Sequence, residues 1–130
     1  MAISIVRLGS PRHDGEGPRI GTVRRPPRGV PKAEFASGNW YDVWYPNLSP
    51  SAEVMSLGQA AETPAQWATF VKRYRSEMNV PDAARSLDLL ATLSHSAHFS
   101  VGCYCADEAH CHRSVLRALL LERGATITSA

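Results

Sequence analysis

The apolar positions of this chain change period along its length, and the changes mark out its elements. ISIVRL, residues 3 to 8, is β-branched and weakly alternating, the pattern of a strand. A turn-rich loop, SPRHDGEGP, runs from Ser10 to Pro18, and RIGTVR, residues 19 to 24, reads as a second strand. RPPRGVP then interrupts regular structure, because Pro26, Pro27 and Pro31 lack amide donors and hold φ fixed. FASGNWYDVWYPNLSPS is aromatic-rich and irregular; Trp40, Tyr41, Trp44 and Tyr45 either pack against the body or form an exposed interaction patch. From Thr63 the period becomes helical. Thr63 is placed to cap, Pro64 to occupy the first helical position, and Gln66 to close a capping box. Trp67, Phe70, Val71, Tyr74 and Met78 form one apolar stripe and are expected in the core. Pro81 starts another helix, with Ala83, Leu87, Leu90 and Ala91 on its apolar face, ending near Ser94.

HFSVGCYC, residues 98 to 105, is small, apolar and uncharged, which predicts a buried strand. Val115, Leu116, Leu119 and Leu120 make a last helical stripe, closed by Arg123 and Gly124 as a helix carboxyl end favours. ATITS, residues 125 to 129, is read as a final strand. This order predicts an α/β layer fold with a mainly parallel sheet flanked by helices.

Length and composition add limits. The 130 residues predict one domain spanning 1 to 130, large enough to bury a core unaided. No apolar run approaches the ~18 residues of a membrane span. The amino terminus places its apolar patch before its arginines, opposite to a secretory signal. The expectation is therefore a cytoplasmic protein without a membrane partner. Its three cysteines are an odd count crowded into residues 103 to 111, which argues against a disulfide framework. The net charge is +2, but Arg7, Arg12, Arg19, Arg24, Arg25, Arg28 and Lys32 face only Asp14 and Glu16 in the first quarter of the chain. Such asymmetry suits an anionic partner, or else a solvated arginine-rich loop.

The candidate chemistry lies in CYCADEAHCHRS, residues 103 to 114. It leaves the carboxyl end of the expected buried strand and enters a helix, the edge where open parallel sheets take ligands. Unpaired first-turn amides and the helix dipole favour an anion and a thiolate there. Arg113, in that same turn, is unfavourable for the dipole, which suggests an anion partner unless it points to solvent. Three chemistries compete. Cys103, Cys105, Cys111 and His112 are a candidate zinc or iron set, although C-x-C-x5-C-H is unusual spacing and neighbouring Cys111 and His112 are expected to diverge. A nucleophilic Cys105 or Cys111 in an anion-holding loop is the second, without the C-x5-R spacing of tyrosine phosphatases. Plain burial is the third, favoured for Cys103.

RIGTVRRPPRG (19 to 29), the segment Asn47 to Ser51, the aromatic helix of Trp67, Phe70, Tyr74 and Glu77, and DEAHCHRSVL (107 to 116) together resemble domain-of-unknown-function family 488, in particular its YeaO-like branch. Arg24, Pro27, Arg28, Gly29 and Lys32 match the family's early motif, while Val23 and Pro26 replace its usual aspartate and tryptophan. The resemblance implies a Rossmann-like sheet and no settled activity. It also pairs Arg24 and Arg28 after one strand with His112 and Arg113 after another. The leading expectation is thus a pocket for a small anionic ligand, phosphate-bearing or oxyanion, with Arg24, Arg28, His112 and Arg113 binding and Cys105 or Cys111 supplying a thiolate. A nucleic-acid or protein interaction module and a small metalloprotein are the alternatives.

Overall fold

Among residues 1–128, which the computed structural model describes, four strands form one parallel sheet. They are β1 (Ile3–Arg7), β2 (Arg19–Gly21), β3 (Val43–Trp44) and β4 (Phe99–Cys103), in the order β1-β4-β2-β3. Every β4 residue is buried. A strand covered on both faces needs a sequence without charge, and FSVGC has none. β4 pairs with β1 from Ile3↔Phe99 to Arg7↔Cys103 and with β2 from Arg19↔Ser100 to Gly21↔Gly102. The carboxyl ends of β1, β4 and β2 are therefore level, and the chain leaves all three at one edge.

Four helices flank the sheet: α1 (Ala52–Ala60), α2 (Pro64–Glu77), α3 (Pro81–Leu93) and α4 (His112–Glu122). The Thr63–Gln66 capping box is present in both directions, so α2 begins where its sequence says it should. Phe70, Tyr74 and Met78 are buried, Trp67 and Val71 half-buried, and the Tyr74 hydroxyl donates to the Leu48 carbonyl at 2.6 Å. With Leu87, Leu90, Leu116, Leu120 and Val101 they form the larger core. A smaller cluster of Val6, Leu8, Val23, Tyr41, Cys103 and Cys111 sits under the carboxyl edge.

Three features depart from the sequence expectations. α1 lies where no helix is expected: it buries only Val54, so its apolar stripe is faint, and a cap in which the Val54 amide donates to the Ser51 hydroxyl oxygen at 3.3 Å fixes its start. β3 adds an edge strand inside the aromatic segment, made of two residues held by Ile20 and Gly21. Tyr41 is buried and Trp40 and Tyr45 are half-buried, whereas Trp44 is exposed. After α4 the described residues rejoin β1 at a single parallel bridge, Ile127 with Ile3; Ser129, in the strand expected over 125 to 129, lies outside the described residues. No helix among the described residues is long and apolar enough to cross a membrane.

Candidate functional site

At the level carboxyl edge the chain builds a cleft of about 1130 Å³. Arg7, Leu8, Gly9, Ser10 and Pro11 come from the end of β1 and the loop after it, and Arg25 to Arg28 from the proline-rich turn after β2. Trp40 and Tyr104 supply aromatic walls, with ring centroids 6.0 Å apart and nearly perpendicular. Tyr104 ties these pieces together: its hydroxyl donates to the Arg25 carbonyl at 2.8 Å, and its own carbonyl accepts from Arg7 Nε at 3.3 Å. Three arginines, Arg7, Arg25 and Arg28, thus line one cavity together with two aromatic residues. Among the described residues no ion pair is formed by any of them.

Arg113 stands at the second position of α4 with its side chain buried to within 4 % of full enclosure. One amino group donates to the Cys105 carbonyl at 2.5 Å, while Nε is buried without a hydrogen-bond partner. Burial is the largest influence on its pKa and holds it below the ordinary arginine value. Glu108 and Cys105 pull upward, and the Arg7 cation adds to the depression. An arginine retains its charge under such a shift, so Arg113 and Arg7 are two cations in mutual range.

Beneath the cleft, Cys103 at the end of β4 meets Cys111 and His112 at the start of α4. Their ligating atoms all lie within 4.8 Å of one another, and all three residues are buried; the Cys103 and Cys111 sulfurs are in disulfide contact, a pairing that the crowded, odd cysteine count argued against and that the turn into α4 brings about. The neighbouring Cys111 and His112 do not diverge as the sequence suggested. Cys111 is the N-cap in extended conformation (φ −133°, ψ 155°) and His112 is the first helical residue, and that change of backbone direction turns both side chains to one point. His112 Nε2 donates to the Thr22 carbonyl at 2.8 Å, which leaves Nδ1 as the lone-pair nitrogen, 3.9 Å from Cys111 Sγ.

Burial drives the His112 pKa down to about 4, against the hydrogen bond to Thr22 and with a further push from Arg113. The imidazole is therefore neutral at pH 7. Between about 6.5 and 4 the unfolded chain takes up a proton here that the folded chain refuses. The contribution is complete above the unfolded value and is lost as pH falls, by up to about 3 kcal/mol at the acid end. Urea unfolding in chelator at pH 7 and at about pH 4.5 should show a larger acid loss for the native chain than for His112→Asn. Equal losses would mean that His112 protonates freely in the folded state.

The sequence-predicted residues thus divide between two places. Arg28 lines the cleft; Arg24 is exposed and is not among the cleft residues. Cys103, Cys111 and His112 gather, whereas Cys105 is exposed and outside their cluster, because β4 ends at Cys103 and the chain turns away. Arg7, Arg25, Trp40 and Tyr104 were not singled out as cleft residues. Arg7 carried the one available signal: a charge closing a β-branched run marks a strand's exit.

A family model described as the active DUF488-N3 subclade matches residues 3–124. The chain belongs to the DUF488 family. No curated protein and no solved structure matches it. The match takes in both the arginine cleft and the Cys/His cluster of this DUF488 chain, so neither is an appendage to the family's domain.

Proposed function

We propose that this DUF488 protein binds a small phosphate-bearing ligand, of the mononucleotide class, in the cleft at the carboxyl edge of its sheet. The observation that carries this reading is the gathering of Arg7, Arg25 and Arg28 around a cavity walled by Trp40 and Tyr104. Guanidinium groups recognise phosphate by paired, charge-assisted hydrogen bonds, and aromatic faces stack a base. The volume lies just above the usual ~300–1,000 Å³ range of small-ligand pockets, which suits a nucleotide better than a lone oxyanion. An anion there would also relieve the repulsion between Arg7 and Arg113. Cys105 is the exposed thiol close enough to Arg113 to feel its charge, and it is the residue we assign to any thiol chemistry on the bound ligand.

Calorimetric titration with ATP, used as a generic phosphate-bearing probe, tests this. Binding should weaken as salt rises, and the double replacement Arg25→Ala with Arg28→Ala should lower affinity at least about tenfold, as expected for losing charge-assisted contacts. Both residues are exposed, so circular dichroism should show the fold retained. No heat at low salt, or equal affinity in the double variant, would overturn the reading. Tighter binding of a single-stranded oligonucleotide than of ATP would replace it with a nucleic-acid interaction module.

A further inference from the structure

We infer that Cys103, Cys111 and His112 form a zinc site with three protein ligands, Sγ, Sγ and Nδ1. It stands independently of the ligand proposed for the cleft. Two thiolates and one imidazole are the donor set that zinc takes. In a tetrahedral array with zinc's usual bond lengths, ligand atoms lie about 3.3–3.8 Å from each other. The three ligand atoms here already fall within 4.8 Å of one another, with Cys111 Sγ and His112 Nδ1 at 3.9 Å. The cysteine Cα atoms are 7.9 Å apart, wider than the ~7 Å beyond which a disulfide needs backbone movement. The two sulfurs are nonetheless in bonding contact with each other, so zinc uptake requires the reduced thiols and a parting of the sulfurs.

The surroundings are those of a metal ligand. Metal-bound histidines hold their other ring N–H on a carbonyl or carboxylate, and His112 Nε2 is held on the Thr22 carbonyl. Thr22 is fixed in turn: its amide and its hydroxyl both donate to the Gly102 carbonyl at 3.0 Å. The ligands also sit on rigid supports, one at the end of the central strand and two at the start of a helix whose dipole favours thiolate. On binding, each thiol releases its proton to solvent and the imidazole gives only its lone pair, so two negative charges neutralise the dication. Three protein ligands leave a fourth position for water or another donor, as in catalytic zinc sites. Cys105 is not a ligand, being exposed and outside the cluster.

The test uses the full chain purified without a histidine tag, reduced, incubated with zinc and desalted. Elemental analysis should give about one equivalent. Cobalt in place of zinc should give thiolate-to-metal charge transfer and intense tetrahedral d–d bands. Cys111→Ser should lose the metal, while Cys105→Ser should hold as much as the native chain. Arg28→Ala should also keep it, which separates this proposal from the cleft reading. Less than about a tenth of an equivalent in the native chain, or an intact mass lighter by two hydrogens with no metal, would overturn the assignment. So would loss of metal in Cys105→Ser. The native chain and Cys105→Ser decide the matter even if Cys111→Ser fails to fold.

Discussion

Replacing Arg19 with methionine should destabilise the protein by about 3–5 kcal/mol, the cost of breaking a buried ion pair from one side. Arg19 and Glu16 are both almost fully enclosed, and Arg19 Nε donates to Glu16 Oε1. The guanidinium is then saturated by carbonyls: Ser10 at 2.8 Å and Asn39 at 2.6 Å from one amino group, Pro11 at 3.1 Å from the other. Its backbone amide adds a 2.7 Å bond to Asp42, which also pairs with Arg12. Methionine fills similar volume but leaves the Glu16 carboxylate buried without its guanidinium partner; the Ser10, Pro11 and Asn39 carbonyls each lose a guanidinium donor, with Asn39 keeping the Gly9 amide. Glu16→Gln combined with Arg19→Met should recover part of the loss, because the stranded charge is gone. Urea midpoints of the single and double variants measure both statements; a double variant no more stable than Arg19→Met would show that the carbonyl bonds, not the charge, dominate.

The second large effect is expected at Gly17. Its φ is +67°, and a Cβ built there would lie 2.0 Å from the His98 carbonyl oxygen. Left-handed backbone alone costs a non-glycine residue roughly 1–3 kcal/mol. The clash is with main chain, so relief requires moving the start of β4. That strand is gripped on this side by the Ser100 amide donating to Pro18 at 2.8 Å and the Ser100 hydroxyl donating to Glu16 at 2.9 Å. Gly17→Ala should therefore cost about 3 kcal/mol or more, with a lowered thermal midpoint. Gly15→Ala is the control: its φ of +80° carries strain, but nothing lies within 4 Å of the added carbon. Equal losses in the two variants would mean that the His98 contact relaxes freely.

The fold was legible where period and caps agreed. The uncharged run at 99–103, the capping box at Thr63 and the stripe from Trp67 to Met78 each name their element. α1 and β3 were not legible, since one buried valine makes no stripe and a two-residue strand has no period. The charge pattern misled in detail for a physical reason. A count of arginines says nothing of where their guanidinium groups end. Arg19 is consumed inside the protein and Arg12 by Asp42, while Arg7 and Arg25, given no separate role, line the cleft beside Arg28. The Cys/His stretch was legible as chemistry but not as geometry, because the turn of backbone between Cys111 and His112 is a property of the helix start, not of residue spacing.

The pairing of β1 with β4 joins the first strand to one roughly a hundred residues later, and among the described residues β1 has beside it no other strand, only the single bridge to Ile127. During synthesis, Ile3 to Val6 leave the ribosome as a naked apolar segment and wait for most of the polypeptide to follow. A nascent chain halted before residue 99 should accordingly be protease-sensitive throughout its amino-terminal segment and should bind chaperones that clasp extended hydrophobic peptides.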